Sequence, residues 1–125
     1  MKHSAEYYIE HLEMEPHVEG GYFKECLLEK EERNLWSSIY FMLAKGEVSH
    51  FHRLKSDEVW YYHDGNALTI YMIDEAGKLT AAKLGLDLEK GEVPQVLVPK
   101  GMIFGSAMEE EGFSLVGCML SLIHI

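Results

Sequence analysis

Residues 48–65 read VSHFHRLKSDEVWYYHDG. Apolar and polar residues alternate through much of this stretch, a pattern typical of half-buried β-strands. It predicts two short strands, Val48–Leu54 and Glu58–His63, and the second ends at Asp64-Gly65, a dipeptide that favours tight turns. The centre of the chain is therefore predicted to be β structure.

Short apolar runs bounded by Gly, Pro or Asp continue in both directions from this stretch. They predict further strands at Tyr22–Leu28, Ser37–Leu43, Leu68–Ile73, Leu79–Leu84, Pro94–Pro99, Met102–Met108 and Phe113–Leu122. A short amphipathic helix is predicted at Ser4–Met14 with Ser4 as its N-cap, and Glu29–Arg33 is predicted to be a solvated loop. So many short strands indicate an all-β sandwich or barrel, and a jelly-roll barrel accommodates them best in this length.

Length and charge restrict the class of protein. The 125 residues suit one domain over residues 1–125. Eleven Lys and Arg against 21 Asp and Glu give a net charge of −10, which argues against binding nucleic acid or an anionic membrane. We see no signal peptide and no apolar run long enough to span a membrane, and the two cysteines are too far apart for a disulfide scaffold. We therefore expect a cytoplasmic protein with reduced thiols.

Polar and aromatic side chains are densest between Ser49 and Asp64. Residues two apart share a face of a strand, so alternation places His50 beside His52. The same rule places Glu58, Trp60 and Tyr62 on one face of the next strand. If these two faces meet inside a barrel, one cavity holds two imidazoles, a carboxylate and an aromatic wall, which is a reasonable small-molecule site.

The spacing of this stretch resembles the first motif of the cupin superfamily. Gly46, His52, Glu58 and Gly65 stand at the motif positions, but Leu54 replaces the second histidine. The second cupin motif, Pro-x-Gly-x-x-His, is similar to PKGMIF at residues 99–104, where Phe104 replaces the histidine.

A denser resemblance is to DUF985, also called cupin 5, a cupin-like family of unknown function. The matching pieces are EGGYF at 19–23, SIYF at 38–41, FHRLKSDE at 51–58, VP at 98–99, FG at 104–105 and SLVGC at 114–118. The resemblance implies a double-stranded β-helix, the cupin jelly-roll barrel, in a homodimer, and it supplies no established reaction. The end of the chain, Ser121–Ile125, does not resemble the acidic and aromatic tail of that family.

The first functional hypothesis is a cupin that binds a small polar metabolite, carbohydrate- or nucleotide-like, with isomerase- or epimerase-type acid–base turnover. His52 would be the base or anchor, Glu58 its orienting carboxylate and Tyr62 a proton donor. The candidate ligand contacts are His50, Arg53, Trp60, Gln95, Phe104 and Tyr40.

Two alternatives stay open. A metal-dependent cupin oxygenase or isomerase would hold a divalent transition metal with His50, His52 and Glu58. Because Leu54 and Phe104 cannot ligate, we interpret this metal site as eroded and commit to no cofactor. The other alternative is a non-catalytic binding module.

Overall fold

The computed structural model describes residues 2–18, 20–28 and 36–121. Strands dominate this part of the chain, and the helix α1 (Ala5–His11) precedes them. The strands are β1 (Glu15–Pro16), β2 (Tyr22–Leu28), β3 (Trp36–Ala44), β4 (Val48–Arg53), β5 (Glu58–Gly65), β6 (Leu68–Ile73), β7 (Leu79–Leu84), β8 (Glu92–Val93), β9 (Gln95–Val98), β10 (Ile103–Ala107) and β11 (Phe113–Ser121). The predicted loop Glu29–Arg33 and the unusual residues 122–125 lie outside the described residues.

The strands form two sheets. The first has the order β1-β2-β3-β11-β5-β9, and the second has the order β4-β10-β6-β7-β8. Neighbouring strands are antiparallel, except that β7 and β8 are parallel. Buried side chains from both sheets form one core cluster between them. The predicted all-β jelly roll with a short N-terminal helix is confirmed.

The core lies between the sheets because alternate residues of each strand face inward. Its members are Phe41, Leu43, Trp60, Leu68, Ile70, Leu84, Val96, Val98, Phe104, Met108, Val116 and Cys118. A smaller cluster around Met42, Phe113 and Leu115 lies on the other face of the first sheet, where Tyr8 and Ile9 of α1 pack against it. The helix therefore covers part of the outer wall.

Helix α1 begins as predicted but ends earlier. The Ser4 side chain accepts a hydrogen bond from the Tyr7 N–H at 3.1 Å, which confirms the N-cap. The helix stops at His11 instead of Met14 because Leu12 is the C-cap and Glu13 adopts a positive φ of 54°. The segment between β7 and β8 contains a 3₁₀ helix, Leu88–Lys90.

The buried carboxylate of Asp64 in β5 links the N-terminal segment to the barrel through hydrogen bonds. It accepts hydrogen bonds from the Tyr8 hydroxyl at 2.6 Å and from the Lys2 N–H at 2.8 Å. Burial alone would raise the pKa of Asp64, but these bonds, with others from the Gly65 and His3 N–H groups, hold it well below its usual value. Burial and, after it, the hydrogen bond to Asp64 raise the pKa of the Tyr8 hydroxyl to about 12.

Candidate functional site

A cavity of about 60 Å³ lies between the two sheets. Strands β3, β5 and β11 contribute one side of its lining, strands β4 and β10 contribute the other, and one residue comes from the segment before β2. The lining residues are His17, Ile39, Phe41, Ser49, His52, Glu58, Trp60, Phe104 and Cys118. Polar groups and aromatic rings therefore share one small space.

Glu58 is the acidic group of this cavity. One of its carboxyl oxygens accepts a hydrogen bond from the indole Nε1 of Trp60 at 2.6 Å. Burial raises the pKa of Glu58 to about 7, while the Trp60 hydrogen bond and the nearby His52 act in the opposite direction. Both the acid and the carboxylate are thus populated near neutral pH.

His52 faces Glu58 from the opposite sheet. Its ring lies 4.4 Å from that of Phe104, its cross-strand neighbour in β10. The Nδ1 atom of His52 donates to the backbone carbonyl of His50 at 3.0 Å, which selects one tautomer of the neutral ring. Nε2 is consequently the nitrogen available to a ligand.

A β-bulge in β4 changes which residues enter the cavity. His52 pairs with Phe104 and Ser49 pairs with Ser106, so three steps along β4 match two steps along β10. Ser49 and His52 therefore line the cavity together, whereas His50 is exposed on the outer surface. The expectation that His50 and His52 share a face is wrong, because the extra residue interrupts the alternation.

Three predicted ligand contacts point away from the cavity. Ile39 and Phe41 face it, so Tyr40 between them packs on the outer side of the sheet near α1. Arg53 follows the inward-facing His52 and is exposed. In β9, Val96 and Val98 are buried, and Gln95 is exposed on the other face. The structure therefore does not bring these three side chains into the cavity, because alternation turns each of them outward.

Tyr62 shares a face with Glu58 but lies far from it. The two residues are four apart in β5, which separates them by about 13 Å along an extended strand. The Tyr62 hydroxyl donates to the Gly65 carbonyl at 2.6 Å, and its ring lines a different depression beside Asp87 and Glu92. The structure therefore does not place Tyr62 where it can donate a proton in the cavity.

His17 and Cys118 line the cavity but were not among the site residues predicted from the sequence. The ring of His17 contacts the ring of Phe41 edge-on, and the backbone N–H of His17 donates to the Gly21 carbonyl at 2.9 Å in the turn before β2. Cys118 reaches the cavity from β11, and burial followed by Glu58 raises the pKa of its thiol, which stays protonated. The Gly20-Gly21 dipeptide was the available signal for the turn that carries His17.

The predicted metal ligands do not come together. His52 and Glu58 line the cavity, but the third expected ligand, His50, is on the outer surface. Nowhere in residues 2–18, 20–28 and 36–121 do three His, Cys, Asp or Glu side chains form a group able to hold a metal ion. The predicted His50–His52–Glu58 set is therefore wrong as a metal centre.

The cupin superfamily model of DUF985 matches residues 6–121. The chain belongs to this family. It is similar to protein SO0799 from Shewanella oneidensis, with 59% identity and a TM-score of 0.90 over 95% of this chain and 78% of that one. A hypothetical protein from Leishmania major is 34% identical, with a TM-score of 0.88 over 95% of this chain and 81% of that one.

More distant cupins share the fold alone. Oxalate decarboxylase from Bacillus subtilis is 19% identical, with a TM-score of 0.66 over 88% of this chain and 28% of that one. No curated protein matches the chain. In the part of the chain that the structure describes, no helix has the length and apolar character needed to cross a membrane. The cytoplasmic location stays a prediction.

Proposed function

We propose that this cupin binds a small polar molecule in the cavity between His52 and Glu58. One observation carries the proposal: an imidazole and a carboxyl group from opposite sheets line the same space, beside the Ser49 hydroxyl and aromatic walls. Small-molecule sites combine such apolar walls with a few convergent polar groups.

The volume of the cavity limits the size of the ligand that it can hold. At about 60 Å³, the cavity is far smaller than the roughly 300–1,000 Å³ of most small-molecule sites. A sugar ring or a nucleotide could therefore enter it only in part. We therefore propose a small molecule in place of the carbohydrate- or nucleotide-like metabolite expected from the sequence.

Acid–base turnover is the second candidate function. The observation that favours it is the pKa of Glu58, which burial raises to about 7, together with the imidazole of His52 in the same cavity. A general acid or base works best when its pKa lies near the working pH. An isomerase-type reaction would move a proton between two atoms of the ligand through these two groups.

Binding is tested by saturation-transfer NMR with a panel of small carboxylates, amides and polyols. The strongest ligands of about five atoms gain at most about 1.5 kcal/mol per atom, so affinities between micromolar and millimolar are expected. His52→Gln should weaken binding at least tenfold, whereas His50→Gln, two residues away on the outer surface, should not change it. Equal effects of the two variants would contradict the site.

Turnover is tested with any ligand that binds. Incubation in deuterium oxide should exchange a ligand C–H proton in the wild-type protein and not in Glu58→Gln. Binding without exchange would leave the non-catalytic binding module as the function.

We also propose that the chain forms a homodimer. Leu97, Val59 and Met119 are neighbours across β9, β5 and β11 on the outer face of the first sheet, and Leu97 is 53% exposed. An apolar row of this kind supports pairing of two copies. Light scattering should give twice the chain mass, and Leu97→Glu should give the monomer mass.

A further inference from the structure

We propose that the ligand is a short-chain carboxylic acid, and that the complex holds one proton between the ligand carboxylate and Glu58. This inference rests on the proposed function and narrows its ligand class.

The lining has a polar part and an apolar part. His52, Glu58 and Ser49 supply polar atoms, whereas Phe41 and Phe104 belong to the aromatic wall. A molecule with one polar end and a short hydrocarbon end matches this division. A polyol of the same size would leave several hydroxyl groups against the rings without partners, which is costly in a buried site.

The side chains of His52 and Glu58 each use one polar atom in a hydrogen bond within the protein. The Nδ1 atom of His52 donates to the His50 carbonyl, and Oε1 of Glu58 accepts from Trp60. Each group therefore offers its remaining ring nitrogen or carboxyl oxygen to a ligand. Because Nδ1 carries the proton of the neutral ring, Nε2 is an acceptor, and a ligand carboxylate pairs with the free Glu58 oxygen only through a shared proton. Its second oxygen can accept a hydrogen bond from the Ser49 hydroxyl, which lines the same cavity.

The charge of the lining requires the shared proton. The cavity is lined, in the described part of the chain, without any Lys or Arg. A ligand carboxylate beside an ionised Glu58 would place two like charges in a desolvated space, which strongly favours protonation of one of them. Binding should therefore take up a proton at a pH where Glu58 is ionised.

Glu58 is the expected carrier of that proton. The titratable groups that line the cavity with it are His52 from β4, Cys118 from β11 and His17 from the segment before β2, while its partner in β9 is the apolar Val98. The thiol of Cys118 is already protonated because burial raises its pKa. The imidazoles are the competing carriers, and a variant of Glu58 separates them from it.

The experiment compares propionate with propionamide, which has the same shape and no charge. Calorimetric titrations in buffers of different ionisation enthalpy should show uptake of about one proton per propionate at pH 8 and none for propionamide. The propionate Kd should rise about tenfold between pH 7.5 and pH 8.5, because one proton is linked to binding. The propionamide Kd should stay constant.

Two variants complete the test. Glu58→Gln can still accept the Trp60 hydrogen bond, and it should bind propionate with no proton uptake and no change of Kd in this pH range. Glu25→Gln, on an exposed position of β2, should behave like the wild-type protein.

Three outcomes would overturn the inference. Tighter binding of propionamide or glycerol than of propionate at pH 6 would refute the ligand class while the proposed function stands. Proton uptake that persists in Glu58→Gln would assign the proton to an imidazole. Absence of binding by every probe would refute the proposed function itself.

Discussion

Replacing Glu58 with glutamine should stabilise the protein increasingly as the pH rises. Burial raises the pKa of Glu58 from 4.5 to about 7 in the folded state. The folded protein therefore binds more protons than the unfolded chain between these pH values, and its stability falls as the pH rises through this window. Glutamine is neutral throughout, so Glu58→Gln escapes this loss.

The size of the effect follows from the same two pKa values. Their difference corresponds to about 3 kcal/mol in total, and most of it falls between pH 5 and pH 8.5. The free energy of unfolding of both proteins should be measured by urea titration, followed by far-ultraviolet circular dichroism, at these two pH values. The advantage of Glu58→Gln should grow by about 2–3 kcal/mol, and Glu25→Gln, at an exposed position, should show no such growth.

If the stability advantage of Glu58→Gln grows by less than about 1 kcal/mol between these pH values, the reasoning is refuted. A pKa of about 7 for Glu58 requires that its ionisation destabilise the folded protein by more than this. The same result would remove the support that Glu58 gives to acid–base turnover.

Three further predictions concern other parts of the barrel. Asp64→Asn should lower the free energy of unfolding at pH 7 by about 1.5–3 kcal/mol. Because the folded-state pKa of Asp64 is held low, urea titrations should show this loss shrinking as the pH falls below 3.8. Gly65→Ala should cost more than about 2 kcal/mol, because its φ is +94° and a Cβ would lie 2.1 Å from a backbone oxygen, whereas Gly77→Ala, with φ +84° and open space, should cost about 1 kcal/mol in the same assay. Phe104→His should place a third ligating side chain beside His52, and cobalt titration should then develop visible absorption that the wild-type protein lacks; equal spectra would contradict the geometry of this pair.

Most of the fold was predictable because alternation and turn residues act locally. Ser4 caps α1 as expected, and β5 begins at Glu58 as expected but runs to Gly65, two residues past its predicted end at His63. The two-residue strands β1 and β8 were not predicted, since a strand this short has no alternation to recognise. Their pairing depends on the neighbouring strand more than on their own sequence.

The candidate site was predictable only in part. His52, Glu58, Trp60 and Phe104 line the cavity, as expected from their spacing and the motifs around them. The sequence did not predict that Ser49, and not His50, would line the cavity beside His52. The reason is the β-bulge, which depends on how β4 pairs with β10 and cannot be recognised from the alternation of residues in β4 alone.

The hydrogen bond between Trp60 and Glu58 allows the state of the cavity to be followed by intrinsic tryptophan fluorescence. The chain has two tryptophans, and Trp60 has its indole N–H bound to the cavity carboxyl group while Trp36 lies at the start of β3. Loss of a proton from Glu58 places a negative charge next to the indole and should alter its fluorescence. Titration of Trp36→Phe should therefore report cavity protonation and ligand entry without any added label.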